Sequence, residues 1–177
     1  MTPIAKFSGP PLPFSRAAWY DSAMSRVIRK PLDHTTHFAG RFGAIYFITI
    51  CCEKRRSNQL CCENTSKVLF DTARIYHDRG RWNLNLLVLM PDHLHALIAI
   101  DSRDSLSQLI RDYKRITSKL SGVEWQRNFF DHRLRHDESL AEKFAYICQN
   151  PMRAGLVHND QDWPYVFIPG RPNASSW

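Results

Sequence analysis

Residues 82–100 read WNLNLLVLMPDHLHALIAI. Two apolar runs are separated only by Pro91-Asp92, and runs of that length joined by so short a link predict a β-hairpin. Side chains alternate along a strand, so Leu94, Ala96, Ile98 and Ile100 share the buried face of the second run while His93 and His95 share the other. Two imidazoles one pleat apart on a rigid strand can converge on a divalent ion, leaving its other positions for a third ligand, water or phosphate oxygens. Two half-buried histidines that only satisfy hydrogen bonds are the plainer reading. The partners decide between them.

Outward from the hairpin the pattern stays regular. AIYFITICC (44–52) is rich in β-branched and aromatic residues and predicts a strand. NTSKVLFDTARIYHDRG (64–80) has helical periodicity, with an Asn or Thr cap and a terminal Gly. Downstream, SLSQLIRDYKRITSKLSG (105–122) predicts a second amphipathic helix ending at Gly122. WQRNFFDHRLR (125–135) predicts a strand, and DESLAEKFAYICQN (137–150) a third helix stopped by Pro151. The order β-α-β-β-α-β-α is that of an α+β, ferredoxin-like split βαβ fold, a central antiparallel sheet with helices mostly on one face. HLHALIAI then lies centrally in the sheet.

The chain has 177 residues, 44% of them hydrophobic, enough for one well-formed core and too few for two ordinary domains. Residues 1–40 differ in texture: SGPPLPF is not regular structure, SRAAWYDSAMSRVIRK suits a short helix, and PLDHTTHFAGRFG breaks again. The expected division is an N-terminal extension over 1–40, one domain over 41–166 and a tail over 167–177. His34 and His37 fall in the extension and read as polar linker residues. No apolar run reaches the length of a membrane span, and MTPIAKFSGPPLPF lacks the apolar stretch of a signal peptide, so a cytosolic location is expected.

Net charge is +7 and the pI is near 9.4, with lysines and arginines interleaved among aromatics. That balance favours a polyanionic partner, nucleic acid first and an anionic membrane surface second. The five cysteines are odd in number, which suits a reducing compartment. Cys51-Cys52 and Cys61-Cys62 lack the C-x-x-C spacing of a zinc knuckle, so reduced thiols are expected there.

Helical arithmetic, at about 100° per residue, separates the tyrosines of the two later helices. In the second helix Leu106, Leu109, Ile110, Tyr113, Ile116 and Leu120 form one stripe, which puts Tyr113 in the middle of the core face. In the third the stripe is Leu140, Ala141, Phe144, Ala145, Ile147 and Cys148. Tyr146 falls outside it, with Asn150 one turn later on the same side. A phenol and an amide are thus presented together off the core. Tyrosine, with an ordinary pKa of about 10, is a weak nucleophile at neutral pH, and its attack on a phosphodiester needs electrophilic help. A metal held by His93, His95 and Asn150 would supply it.

These residues resemble the HUH-type single-strand DNA transposases, and most closely the REP-associated tyrosine transposases of the IS200-like group. The matching pieces are YFITI, LMPDHLHALI, the basic helix with DYKRITSK, WQRNFFDHRLR and YICQNPMRAGLV, spanning roughly residues 44 to 166. The resemblance implies the HUH endonuclease fold, with His93 and His95 as metal ligands around the hydrophobic Leu94, Tyr146 as the single catalytic tyrosine and Asn150 as the helix ligand. It implies a 5′-phosphotyrosine link, release of a 3′-hydroxyl, and use of Mg²⁺ or Mn²⁺ on single-stranded DNA flanked by a hairpin. It also implies a bacterial cytoplasmic, nucleoid-associated protein. Monomers and helix-swapped homodimers both occur among such proteins. The long N-terminal extension and the CCEKRR segment depart from the family pattern.

Single-strand binding combines a cationic track with aromatic platforms. The candidate phosphate contacts are Lys54, Arg55 and Arg56 after the first strand, Lys114, Arg115 and Lys119 on the second helix, Arg127, Arg133, Arg135 and His136 around WQRNFFDHRLR, and Arg153 in NPMRAGLV. Trp125, Phe129 and Phe130 are candidate platforms, although a strand's alternate aromatics must also fill the core. Asp92 reads first as a turn residue and second as an acceptor that orients a histidine. Two rivals stay open: a domesticated protein that binds hairpins without cutting them, and a metal phosphohydrolase in which His93 and His95 activate water.

Overall fold

The structure, a computed structural model, describes residues 42–135 and 138–170. The N-terminal extension with His34 and His37, the candidate His136, and residues 171–177 lie outside the described residues. The elements run β1 (Phe42–Cys51), α1 (Glu63–Asp78), β2 (Asn83–Met90), β3 (His93–Asp101), α2 (Leu106–Ser121), β4 (Phe130–Arg133), α3 (Leu140–Cys148), α4 (Asn150–Arg153), a 3₁₀ turn (Asp160–Asp162) and β5 (Val166–Phe167). The five strands are ordered β4-β1-β3-β2-β5, and every pairing is antiparallel. This is the predicted split βαβ sheet with one strand added at an edge.

The hairpin alternation becomes a two-sided sheet. Leu94, Ala96, Ile98 and Ile100 join Tyr46, Ile48 and Ile50 of β1 in a core closed by Leu69 and Ala73 of α1 and by Leu109, Ile110 and Tyr113 of α2. The opposite face is covered by Ile147 of α3, packed with Leu86, Val88, Leu97 and Leu134, with Ile45, Phe47 and Phe144 around them. Each fully buried Leu or Ile stabilises the fold by roughly 1.5–3 kcal/mol relative to leaving it in water, so both layers are firmly seated. The histidines occupy the α3 side.

Element ends follow local chemistry. Ser105 caps α2 by accepting from Gln108 N, and Gly122, at φ 75°, closes it as predicted. Helix α1 starts one residue before the predicted span, and its N-cap is Cys62 with no side-chain capping bond. Gly80, at φ 64°, ends that helix. The predicted strand 125–135 shrinks to Phe130–Arg133, preceded by a single bridge of Trp125 to Cys52. The reason is Lys114, whose ammonium gathers the carbonyls of Gln126 (2.7 Å) and Arg127 (2.9 Å) and diverts them from the ladder.

The third helix stops at Cys148, two residues short of the predicted end. Pro151 then sits in the first turn of α4, where its missing N–H costs nothing. Ala141 and Ala145, expected in the apolar stripe of α3, are exposed. Strand β5 crosses the expected domain end at 166: Phe167 is buried in the main core and Ile168 packs on the second cluster. Among the described residues no helix is long and apolar enough to cross a membrane.

Candidate active site

Register decides what surrounds the histidines. Across the sheet Phe130 lies opposite Thr49, Thr49 opposite His95, and His95 opposite Val88, while His93 sits between Cys51 and Met90. Thr49 Oγ1 is 2.9 Å from His95 Nδ1. His93 Nδ1 is 2.7 Å from Asp92 Oδ1 and, because a carboxylate only accepts, the imidazole is the donor. The two rings stand 4.8 Å apart at an interplanar angle of 81°. Both Nδ1 atoms are therefore engaged, and the Nε2 atoms remain for a ligand. That is the usual arrangement of metal-binding histidines, in which the second nitrogen is fixed by an outer partner.

Electrostatics match this chemistry. Loss of water around His95, reinforced by His93 and Arg55, holds its pKa well below the usual imidazole value. A neutral ring is the metal-binding form. Burial works to raise the Asp92 carboxyl, but hydrogen bonds from His93 and from the Arg56 N–H, with the Arg55 guanidinium nearby, leave it below the usual carboxylate range. Among the described residues no three His, Cys, Asp or Glu side chains cluster as a metal site. The described residues place no third such side chain as a ligand beside the histidine pair.

Helix α3 packs over this same face. Tyr146 is 46% exposed, and the Arg153 guanidinium lies 4.6 Å from its ring centroid while donating to Gln149 Oε1 at 3.2 Å. Asn150 opens α4 directly after. Tyr113 is different in kind. Its side chain is buried in the opposite layer, its hydroxyl donates to Leu69 O at 3.0 Å, and burial raises its pKa far above the usual phenol value. The helical separation of the two tyrosines is what the structure contains.

The predicted cations separate into groups. Lys54 and Arg56 are exposed on the β1–α1 loop, whereas Arg55 is held against Asp92, with Nη1 donating to its carbonyl at 3.0 Å. Lys114 is half-buried and committed to the Gln126 and Arg127 carbonyls, and burial lowers its pKa. Arg115 pairs with Asp112 and lines a groove with Arg79 and Arg81 on the side of α1 and α2, away from the histidines. Lys119 is exposed on α2, and Arg127 and Arg135 are exposed on either side of β4. Arg133 lies in β4 opposite Tyr46.

Of the aromatics, Trp125 and Phe129 pack against the main core, and the Trp125 indole donates to Thr117 Oγ1. Phe130 is 45% exposed and meets Phe47, which in turn lies beside His95. None of the five cysteines is in a disulfide, and burial pushes the Cys52 thiol up to about 12, which disfavours the thiolate that zinc requires.

Thr49 was missed in the sequence. Its signal is only its place in YFITI, and the register that sets it against His95 joins residues 46 positions apart.

Three comparisons bear on this arrangement. A REP-associated tyrosine transposase from Escherichia coli (strain K12) is 27% identical over 126 residues, covering 70% of this chain and 75% of that protein. The solved structure of a REP-associated tyrosine transposase bound to a REP hairpin superposes with a TM-score of 0.62 at 23% identity, covering 74% of this chain and 81% of the other, a likeness of fold. The family model described as "Transposase IS200 like" matches residues 41–149, more than half of the sequence and including the whole histidine hairpin and Tyr146: the chain belongs to the IS200-like transposase family.

Proposed function

We propose that this transposase nicks and rejoins single-stranded DNA beside a hairpin by transesterification onto Tyr146. The observation that carries the reading is the covering of the histidine face by α3, with Tyr146 exposed on that helix while Tyr113 is sealed in the opposite layer. The E. coli relative's description as a REP-associated tyrosine transposase and the hairpin bound in the related structure support DNA hairpins as the substrate.

In the reaction the Tyr146 oxygen forms a bond to phosphorus as the bond from phosphorus to the 3′ oxygen breaks. The tyrosine loses its proton and the departing oxygen gains one, leaving a 5′-phosphotyrosine and a free 3′-hydroxyl. Attack by a 3′-hydroxyl on the phosphotyrosine reverses the step and rejoins a strand without a high-energy cofactor. His93 and His95, through Nε2, together with Asn150, would hold a magnesium or manganese ion. When bound, that ion neutralises charge on the phosphate oxygens.

The chain's own groups do the rest. Asp92 and Thr49 fix the histidine rings. Arg153 holds the tyrosine ring from above and brings a positive charge near the phosphorus. Lys54 and Arg56 take backbone phosphates, and Phe130 offers a stacking surface beside Phe47.

The test is a denaturing gel of the protein incubated with Mn²⁺ and labelled hairpin oligonucleotides. A covalent band from wild type and Tyr113→Phe, absent from Tyr146→Phe, is expected. Loss of the band in Tyr113→Phe alone would overturn the assignment. Turnover that survives Tyr146→Phe would point to water as the nucleophile, and hairpin binding without any adduct would point to a binder that does not cut.

A further inference from the structure

Asp92 occupies a hairpin turn, where an aspartate ordinarily bonds its own backbone. Here the residue is 8% exposed and its carboxylate reaches in two other directions. Oδ1 accepts from His93 Nδ1 at 2.7 Å. Oδ2 accepts from the backbone N–H of Arg56, 36 residues earlier, also at 2.7 Å. Arg56 has φ 61° and is the sole non-glycine residue among those described with a positive φ, a conformation that L side chains disfavour.

The turn's carbonyls complete the junction. Asp92 O accepts from Cys52 N at 2.9 Å and from Arg55 Nη1 at 3.0 Å. Pro91 O accepts from Gln59 N and Leu60 N. The loop that carries Lys54 and Arg56 is therefore docked on the turn that carries His93, and both carboxylate oxygens lie at the joint.

We propose that Asp92 is a positioning residue that sets the tautomer and direction of His93 and, through Arg56 N–H, the shape of the phosphate-binding loop. One carboxylate thereby couples DNA grip to metal ligation. The proposal rests on the reading of His93 as a ligand and Arg56 as a phosphate contact.

Asparagine is the informative replacement, because the two donors reach different oxygens, and an NH₂ in place of either one repels its donor and turns the group away from the other. The test measures Mn²⁺ affinity of DNA-free protein by electron paramagnetic resonance and hairpin binding in EDTA by fluorescence anisotropy. In Asp92→Asn, with an unchanged circular dichroism spectrum, Mn²⁺ affinity is expected to fall by about 10- to 100-fold and hairpin affinity in EDTA to fall with it. Arg56→Gly keeps the N–H and suits the positive φ. It is expected to weaken hairpin binding and leave Mn²⁺ affinity unchanged.

A folded Asp92→Asn that loses only one of the two affinities, or neither, overturns the coupling. The tautomer of His93, read from ¹⁵N spectra of metal-free wild type, judges the proposal even where the Asn variant does not fold. A proton on Nδ1 supports it, and a proton on Nε2 overturns it. Failure of the transposase reading would look different: wild type would form no Tyr146 adduct, whatever the His93 tautomer.

Discussion

Thr49 and His95 meet across β1 and β3 with 2.9 Å between hydroxyl and Nδ1. Removing the hydroxyl while keeping the volume, as in Thr49→Val, leaves a ring nitrogen without its partner in a poorly hydrated site. A buried polar group so stranded costs about 1–3 kcal/mol. For a chain of this length each kcal/mol lowers Tm by about 2–4 °C, so a scanning measurement should find a drop of several degrees, with weaker Mn²⁺ binding besides. An unchanged Tm would mean that the hydroxyl does not support the ring. This pair also marks where residue-scale reading of the sequence stops. The alternation of HLHALIAI places both histidines on one face because the strand period is fixed at two, and the 3.6-residue period of a helix sorts Tyr113 from Tyr146 in the same way. Thr49 and the double role of Asp92 depend on which strands pair and in what register, and no local period encodes that.

Helix α3 owes its seat on the histidine face to Ile147 and Phe144 and to a polar joint at its entry. Glu138 accepts from the Arg135 N–H at 2.8 Å and from His132 Nε2 at 2.9 Å, tying β4 to the start of the helix. The Arg135 N–H first, and His132 second, hold the Glu138 carboxyl below its usual pKa. A carboxylate whose pKa is depressed on folding contributes stability that is present above the unfolded value, about pH 4.3, and is lost as pH falls through the folded value. Glu138→Gln should therefore have a lower Tm than wild type at neutral pH, and the gap should close on acidification below about pH 4. A gap that persists at low pH would assign the loss to packing. At this scale the periodic elements were legible, and their ends less so. Pro151 signals a stop, but Pro is equally at home in the first turn of a new helix, so α3 ends at Cys148 and α4 begins at Asn150. The strand around Phe130 was over-read because the carbonyls of Gln126 and Arg127 answer to Lys114, twelve and thirteen residues away.

On the scale of the whole molecule, the +7 net charge favours DNA without saying which cations touch it, and the two faces of the sheet provide the sorting. Lys54 and Arg56 stand on the loop docked against the histidine turn, and Arg153 stands over Tyr146. Arg115 faces outward from α2, paired with Asp112 beside Arg79 and Arg81. A helix is about 10 Å across and the Debye length at physiological salt is about 8 Å, so a charge beyond the α2 layer is screened from phosphates at the histidine face. Each phosphate contact made to single-stranded DNA contributes about −0.7 to the slope of log K against log salt. For a short single strand bound in EDTA, Lys54→Gln with Arg56→Gln should flatten the slope by about 1.4, twice that contribution. Arg115→Gln should leave it unchanged. Equal flattening by both sets would mean that the strand wraps onto the helical side, and would return Arg115 to the DNA track that composition alone suggests. No flattening from the loop pair would remove that loop from the interface and with it the DNA half of the Asp92 junction.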